Sequence, residues 1–478
     1  MRFTSLTLRF LLAFTLAPVM AASGPKRDTL EDYSRDAYIW GYPAVLLKKT
    51  RESMLGTENV SAKLNHFFHS SQVRDPNLRD LTGGNSDSLF SWAWIELGHK
   101  PLVLVQPSLK DRFSALMVVD AFSNVVSFKN GMDLAQRSEI YYLTGPQWKG
   151  RLPVGAKQIV SGTSEVLVLA QAFVRDSKDA ANVAGVMKKH QLVAWDDWQN
   201  GVRQDMANLT APKSRVLVQK NLAAPGLSFF EDLRQILAKN ELGNSDLREL
   251  ERFEVLGISD KASFTNKLSD PDARGMIERG LYEGEREINT RVTAGVGNKV
   301  NGWSFEMKAS PSEEDFLLRA AIAKERFFSV PSKQVVQLRV EVDSESRQLN
   351  SAYDYELRFE KEDLPSTRAG WSLSAVPSRG RGLSDKSRQI YSVSESTLRT
   401  NSDGSVVVMI QSEPPARGRR TNWLPLPANT NFALVLSAYS PGNSILQSRY
   451  IAPSLVRLDE DSVPQQQRIV RRMMAFSK

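Results

Sequence analysis

Between Leu89 and Val174 apolar residues recur at every second position in short runs: Leu89–Leu97, Leu102–Gln106, Phe113–Ala121, Asn124–Phe128, Ser138–Leu143, Gln158–Ser161 and Glu165–Val174. Turn formers separate them at Pro107, Asn130-Gly131, Gly145-Pro146, Pro153 and Gly162. Strand side chains point alternately to opposite faces, so each run has one face to bury. Many short strands with turns between them predict an antiparallel sandwich or barrel and argue against a doubly wound parallel sheet.

The period changes on either side of this block. From Thr29 to Arg51, Leu30, Tyr33, Ala37, Trp40, Ala44 and Leu47 fall on one helical face, and Thr29 with Asp32 resembles a capping box. Gly41-Tyr42-Pro43 predicts a kink or break, because proline removes a backbone donor. Asp176–Leu192 reads as helix, as do Phe229–Lys239, Ser245–Leu256, Asp272–Thr293 and Glu313–Lys324. Strands resume at Val336–Val342, Tyr353–Glu360, Ser405–Gln411 and Phe432–Tyr439. The expected fold class is α+β, with two β-rich, sandwich or jelly-roll-like domains and a helical insert between them. The expected boundaries are a signal peptide over 1–22, an N-terminal β-rich domain over 27–176 and a helical region over 177–300. A C-terminal β-sandwich over 301–460 and a basic tail helix over 461–478 complete the chain.

With 478 residues, 41% hydrophobic and 24% charged, the chain is long enough for more than one core and has the balance of a folded globular protein. Its net charge is +8, and Arg2 and Arg9 supply two of those charges, so the remainder carries +6. No basic stripe is interleaved with aromatics, which argues against a nucleic-acid partner. Arg2 and Arg9, the apolar stretch Phe10–Met20 and the small residues around Ala21 form a secretory leader, with cleavage expected after Ala21 or Ala22. The apolar stretch is too short to span a bilayer, and no transmembrane segment is expected in the mature chain. The expected location is periplasmic or secreted. There is no cysteine, so disulfides and thiolate metal sites are excluded.

Polar residues concentrate in one passage. His66 and His69 precede Asn85-Ser86-Asp87-Ser88, and Trp92, Trp94 and the strand-end acid Asp120 follow. Asp87 or Asp120 has the chemistry of a general base with a histidine as proton partner, and Ser88 that of a nucleophile. Against this, Asn85 and Asp87 after Gly83-Gly84 are common turn formers, and the Gly-x-Ser-x-Gly elbow is absent. His66 and His69, three apart, would share a helix face and with Asp87 or Asp120 offer a divalent metal its ligands. Without the His-Glu-x-x-His spacing this is the minor reading, and no metal or cofactor is assigned. Trp92 and Trp94 share a strand face, either as core or as a stacking platform, with Asn85 and Tyr142 as further ligand contacts. Gly295-Val296-Gly297 lacks the spacing of a nucleotide loop.

Several motifs in order give a family likeness. Ala37-Tyr38-Ile39-Trp40-Gly41-Tyr42-Pro43, Asn85-Ser86-Asp87-Ser88-Leu89-Phe90-Ser91, Asp120 with Asn124, and Gly145-Pro146-Gln147-Trp148-Lys149-Gly150 resemble the domain-of-unknown-function 1254 family. Asn301-Gly302-Trp303, Trp371-Ser372-Leu373, Asp403-Gly404-Ser405, Asn422-Trp423-Leu424-Pro425-Leu426-Pro427 and Tyr439 resemble the domain-of-unknown-function 1214 family. The resemblance implies a β-rich, frequently exported protein and carries over no catalytic residues. It also marks departures: Ser88 stands where threonine is usual, and Gln171 and Ser437 stand where arginine is common.

The leading expectation is an exported hydrolytic or carbohydrate- or small-molecule-processing enzyme, with a polar pocket in the N-terminal β domain. The alternative is a non-catalytic periplasmic binding or envelope-assembly protein that uses the same cleft or the gap between the β domains. A small-molecule or carbohydrate ligand is expected in either case, and self-association is left open.

Overall fold

The structure is a computed structural model that describes residues 29–55, 64–70, 73, 87–109, 112–130, 138–202, 223–242, 244–259, 268–294, 299–306, 315–325, 330–378, 392–427 and 430–458. Asn85 and the basic tail over 461–478 lie outside these residues.

The first described element is helix α1 (Leu30–Leu55). A β region follows, made of β1 (Phe68–His69), β2 (Ser88–Glu96), β3 (Leu102–Gln106), β4 (Ser114–Asp120), β5 (Val125–Asn130), β6 (Glu139–Thr144), β7 (Lys157–Val160) and β8 (Glu165–Phe173). Helix α2 (Ser177–Met187), strand β9 (Gln191–Ala194) and helix α3 (Trp195–Gln199) end this region. Helices α4 (Leu227–Lys239), α5 (Asn244–Arg252) and α6 (Pro271–Ala294) come next. Strands β10 (Lys299–Val300) and β11 (Trp303–Glu306) then precede helix α7 (Phe316–Glu325). The second β region continues with β12 (Val335–Val340), β13 (Asp354–Phe359), β14 (Trp371–Pro377), β15 (Ser392–Ser394), β16 (Val406–Gln411), β17 (Trp423–Pro425) and β18 (Phe432–Tyr439). Helix α8 (Asn443–Leu446) and strand β19 (Val456–Leu458) finish the described chain. This is the expected α+β class, two β regions separated by helices.

The first sheet, in the order β1-β2-β8-β4-β5, is buried on both faces. On one face Leu89, Ala93, Ile95, Leu116, Val118, Val166, Val168 and Ala170 pack against the second sheet, β7-β6-β3-β9, through Leu104, Tyr141, Leu143, Ile159 and Leu192. On the other face Phe90, Trp92, Trp94, Met117, Val119, Leu167 and Leu169 meet the helical layer. Double burial explains why β2, β4 and β8 have few exposed positions even where their residues alternate in size.

Helix α1 is the spine of the helical layer. Thr29 and Asp32 cap it as expected: the Asp32 carboxylate accepts from the Thr29 backbone N–H at 3.0 Å, and the Thr29 hydroxyl accepts from the Asp32 N–H at 3.2 Å. The expected break at Gly41-Tyr42-Pro43 does not occur, and the helix runs through Pro43. Tertiary packing overrides the proline penalty: Ala37 to Leu47 are buried without interruption, and α4, α6 and α7 pack along the helix. Gly280 and Gly284 of α6 let the two axes approach. A Cβ on Gly280 would collide with the Glu31 carbonyl oxygen, and one on Gly284 would lie 2.8 Å from the Tyr38 ring. The helix expected over Asp176–Leu192 ends at Met187, and Gln191–Ala194 instead forms an edge strand beside β3. Among the described residues no helix is long and apolar enough to cross a membrane.

The C-terminal region packs the sheet β10-β11-β12-β18-β14-β15 against β17-β16-β13-β19. Leu338, Leu436, Leu373, Tyr355, Leu357, Phe359, Val408 and Ile410 fill the space between them. The other face of the six-stranded sheet turns toward the first β region, where Tyr439 packs with Phe113, Ala115 and Phe173. The first sheet therefore shares one face between two covers, helices toward the Asp120 end and the C-terminal region toward the Asp87 end.

Gly280→Ala is expected to lower stability by about 1–3 kcal/mol, since backbone must move to admit the methyl group. Gly275→Ala, whose new Cβ meets only the end of the Arg279 side chain at 3.4 Å, serves as the near-neutral control. Urea midpoints of the two variants measure the difference.

Candidate functional site

Asp87 immediately precedes β2 and is 2% exposed. Its Oδ1 accepts from the Ser88 hydroxyl at 2.9 Å, and its Oδ2 accepts from the Tyr439 phenol at 2.7 Å and from the Ser372 hydroxyl. Two of these donors belong to the C-terminal β region, so the carboxylate sits in the seam between the β regions. Gln171 on β8 donates to the Ser88 hydroxyl at 3.0 Å, and Gln337 on β12 donates to Ser437 at 3.0 Å. Ser437 is directly paired with Ser372, which places it on the same face and in the same seam. Burial, with Asp87 alongside as charge and acceptor, pushes the Tyr439 phenol well above its ordinary range, so it remains a neutral donor. The Phe113 and Phe173 rings lie 4.7 and 5.1 Å from the Tyr439 ring.

Asp120 does not join this cluster. Ser88 pairs with Phe173, while Asp120 pairs with Val166 on the same strand. Those two β8 positions are seven residues apart, about 23 Å at the ~3.3 Å rise of a strand. Asp120 instead closes the turn after β4, accepting from the backbone N–H groups of Phe122 at 2.9 Å and Asn124 at 2.8 Å and from the Asn124 side chain at 3.2 Å. Burial raises its pKa despite those bonds. From Asn124 the network continues to Arg319 at 3.3 Å, then to Asp246 at 3.4 Å, which also accepts from the Trp40 indole at 2.9 Å. This chain of contacts fastens the sheet end to the helices.

The histidines lie elsewhere. His69 is in β1, an extended segment, so the shared helix face expected for His66 and His69 does not form. The His66 ring bonds the Leu64 carbonyl at 2.8 Å. His69 bonds the Ser91 hydroxyl at 2.7 Å on the face turned to the second sheet, away from the Asp87 contacts. Phe67 lies close to both His69 and His190, at 6.0 and 5.4 Å between ring centroids. Burial lowers His69 to about 3 and His190 to about 4, with their mutual repulsion adding to the effect on His69. An imidazole of that pKa is a weak base, so the His69–Ser91 contact lacks the proton affinity that serine activation requires. Among the described residues no three metal-ligating side chains converge.

Comparison with known proteins agrees with this architecture. Residues 64–194 match the family described as protein of unknown function (DUF1254), and residues 334–443 match the family described as protein of unknown function (DUF1214). The two matches stand in tandem along the chain, the first N-terminal and the second C-terminal. A Vibrio parahaemolyticus protein of known crystal structure is similar in fold, with a TM-score of 0.66 and 18% identity over 90% of this chain and 100% of that one. A putative uncharacterized Burkholderia cenocepacia protein aligns with a TM-score of 0.44 and 11% identity, over 91% and 96% of the two chains. No curated protein matches the chain.

In this DUF1254–DUF1214 tandem the three departures noted from the sequence, Ser88, Gln171 and Ser437, meet in one place, the seam beside Asp87. The aromatic candidates do not join them. Trp92 stacks on Phe68 at 4.4 Å, and both Trp92 and Trp94 are 3% exposed beneath the helical layer, so they are core and not a platform. Tyr142 lies in the second sheet, edge-on to Trp195 at 5.7 Å. Sequence reasoning missed Ser372 and Tyr439 as partners of Asp87, and Gln337 as the donor to Ser437. The alternation within Phe432–Tyr439 places Ser437 and Tyr439 on one face, but nothing local points to a carboxylate hundreds of residues earlier.

Two outcomes are expected. Tyr439→Phe removes one donor from a buried carboxylate and should cost about 1–3 kcal/mol in urea denaturation. His69 and His190 have folded pKa values below the 6.5 of the exposed ring, so below pH 6.5 the unfolded chain binds protons that the folded chain refuses. Stability should therefore be unaffected by them above pH 6.5 and fall as pH drops toward 4, by about 3 kcal/mol for each histidine. His190→Asn should flatten that slope whatever its effect on the neutral-pH midpoint.

Proposed function

We propose that the protein is an exported, non-catalytic binding protein whose ligand contacts come from the gap between its two β regions. One observation carries this reading: Asp87 and Asp120 lie at opposite ends of the first sheet, and the buried imidazoles face away from the Asp87 cluster. General acid–base or nucleophilic chemistry needs such groups within hydrogen-bond reach of one reacting centre. Asp87 is engaged by hydroxyls from both β regions, and Asp120 by its own turn and Asn124. Export is supported by the leader ending near Ala21, and the mature protein is expected to begin at Ala22 or Ser23.

A screen of the purified mature protein against ester, glycoside and phosphate substrates, with and without divalent metals, tests the reading. No turnover above the blank is expected. Turnover that disappears in a folded Asp87→Ala variant would restore the enzymatic alternative. N-terminal sequencing of protein recovered from a periplasmic extract checks the export step.

A further inference from the structure

We propose that the seam opens in the native protein and that, once open, it takes a neutral carbohydrate; this deepens the binding reading above and rests on it. The strand register aligns Gln337, Ser437, Ser372 and Ser394 as one row across β12, β18, β14 and β15. Ser372 reaches Asp87, and Ser394 reaches the Arg175 carbonyl at 3.3 Å, so the row faces the first β region. Opposite it stand Asp87, Ser88 and Gln171. Ser88, Ser372, Ser394 and Ser437 are each no more than 2% exposed.

Permanent interfaces between rigid units resemble domain cores and are mainly apolar. Here, among the described residues, a small buried cluster of Phe113, Ala115, Phe173 and Tyr439, with Phe128, Val330, Val335 and Ala369 packed on it, stands beside a row of hydroxyls and carboxamides. A hydrogen bond between such neutral groups contributes little net stability, because water replaces it when the faces part. Water likewise replaces the stronger bonds to the Asp87 carboxylate once that carboxylate is exposed. The two β regions each have a separate large core that remains intact when they separate. Opening at the seam therefore costs far less than global unfolding and belongs to the class of sub-global motions.

The exposed faces then define the ligand. A carboxylate acceptor, several hydroxyls and two carboxamides match the alternating donors and acceptors of a sugar. The Phe113, Phe173 and Tyr439 rings offer apolar faces for its C–H surfaces. An anionic ligand would meet the Asp87 carboxylate and be disfavoured.

The chain has no cysteine, so an introduced thiol reports alone. In native buffer Ser437→Cys should react with a maleimide on the order of tenfold or more faster than Ala93→Cys, a core position that is 0% exposed. Ser394→Cys is the second seam probe should Ser437→Cys fold poorly. A panel of neutral di- and trisaccharides should slow the seam thiol and leave Ala93→Cys unchanged. Asn130 and Ser440 touch across the seam at 3.3 Å, so an oxidised Asn130→Cys/Ser440→Cys pair should hold it shut. Saccharide binding by that variant, followed calorimetrically, should be lost on oxidation and return with reductant.

Equal labelling of seam and core thiols would overturn the opening. Saccharide binding that survives oxidation would overturn the seam as the ligand site, here and in the reading above, while leaving a non-catalytic binding protein. A panel without effect on the seam thiol would overturn the ligand class. Turnover of a saccharide would instead overturn the non-catalytic reading and leave the seam in place.

Discussion

Burial of the first sheet on both faces is the constraint from which the rest of the molecule follows. Strands β2, β8 and β4 have no face to give to solvent, so three other layers must cover them. The second sheet takes one side. The remaining side is longer than the helical layer covers, and the C-terminal β region closes it at the Asp87 end through Phe113, Ala115 and Phe173. That division fixes the chemistry available at each end. Where helices cover the sheet, the contacts are large apolar groups such as Trp92, Trp94 and Leu233, with the Asp120–Asn124–Arg319–Asp246 chain at the margin. Where the second β region covers it, polar strand residues meet face to face.

Much of this architecture was legible because it is written in periodicity. The alternating runs from Leu89 to Phe173 and from Phe432 to Tyr439, the Thr29–Asp32 cap and the charged helices after Leu227 depend on neighbours close in sequence. The failures came where distant contacts decide. Pro43 stays within a helix because α4, α6 and α7 enclose it, and Gly280 and Gly284 allow that approach only in the presence of α1. Trp92 and Trp94 look the same in sequence whether a helical layer or a ligand covers them. Asp87 and Asp120 belong to one polar passage of the chain, yet β8 holds them a strand length apart, since both neighbouring strands run antiparallel to it.

The two acids also show how one residue type serves different ends. Asp120 accepts from backbone two and four residues onward, the ordinary behaviour of an aspartate after a strand, and its raised pKa follows from burial. Asp87 accepts from a phenol and hydroxyls, two of them supplied by residues nearly three hundred or more positions away. Burial of a turn thus accounts for the raised pKa of Asp120, and the organisation of partners across two chain regions sets Asp87 apart.

The seam's residue types set its strength. A guanidinium beside a carboxylate forms charge-assisted, bidentate bonds roughly twice as strong as neutral ones. Gln171 and Ser437 bring no charge to the cluster. Their amide and hydroxyl groups exchange partners with water at small net cost, and Tyr439 is held neutral by burial. The seam is consequently made of contacts whose sum depends on how well the hydroxyl row and the opposite face align, whereas the cores on either side depend on area removed from water. A molecule assembled in this way is firm within each β region and compliant between them.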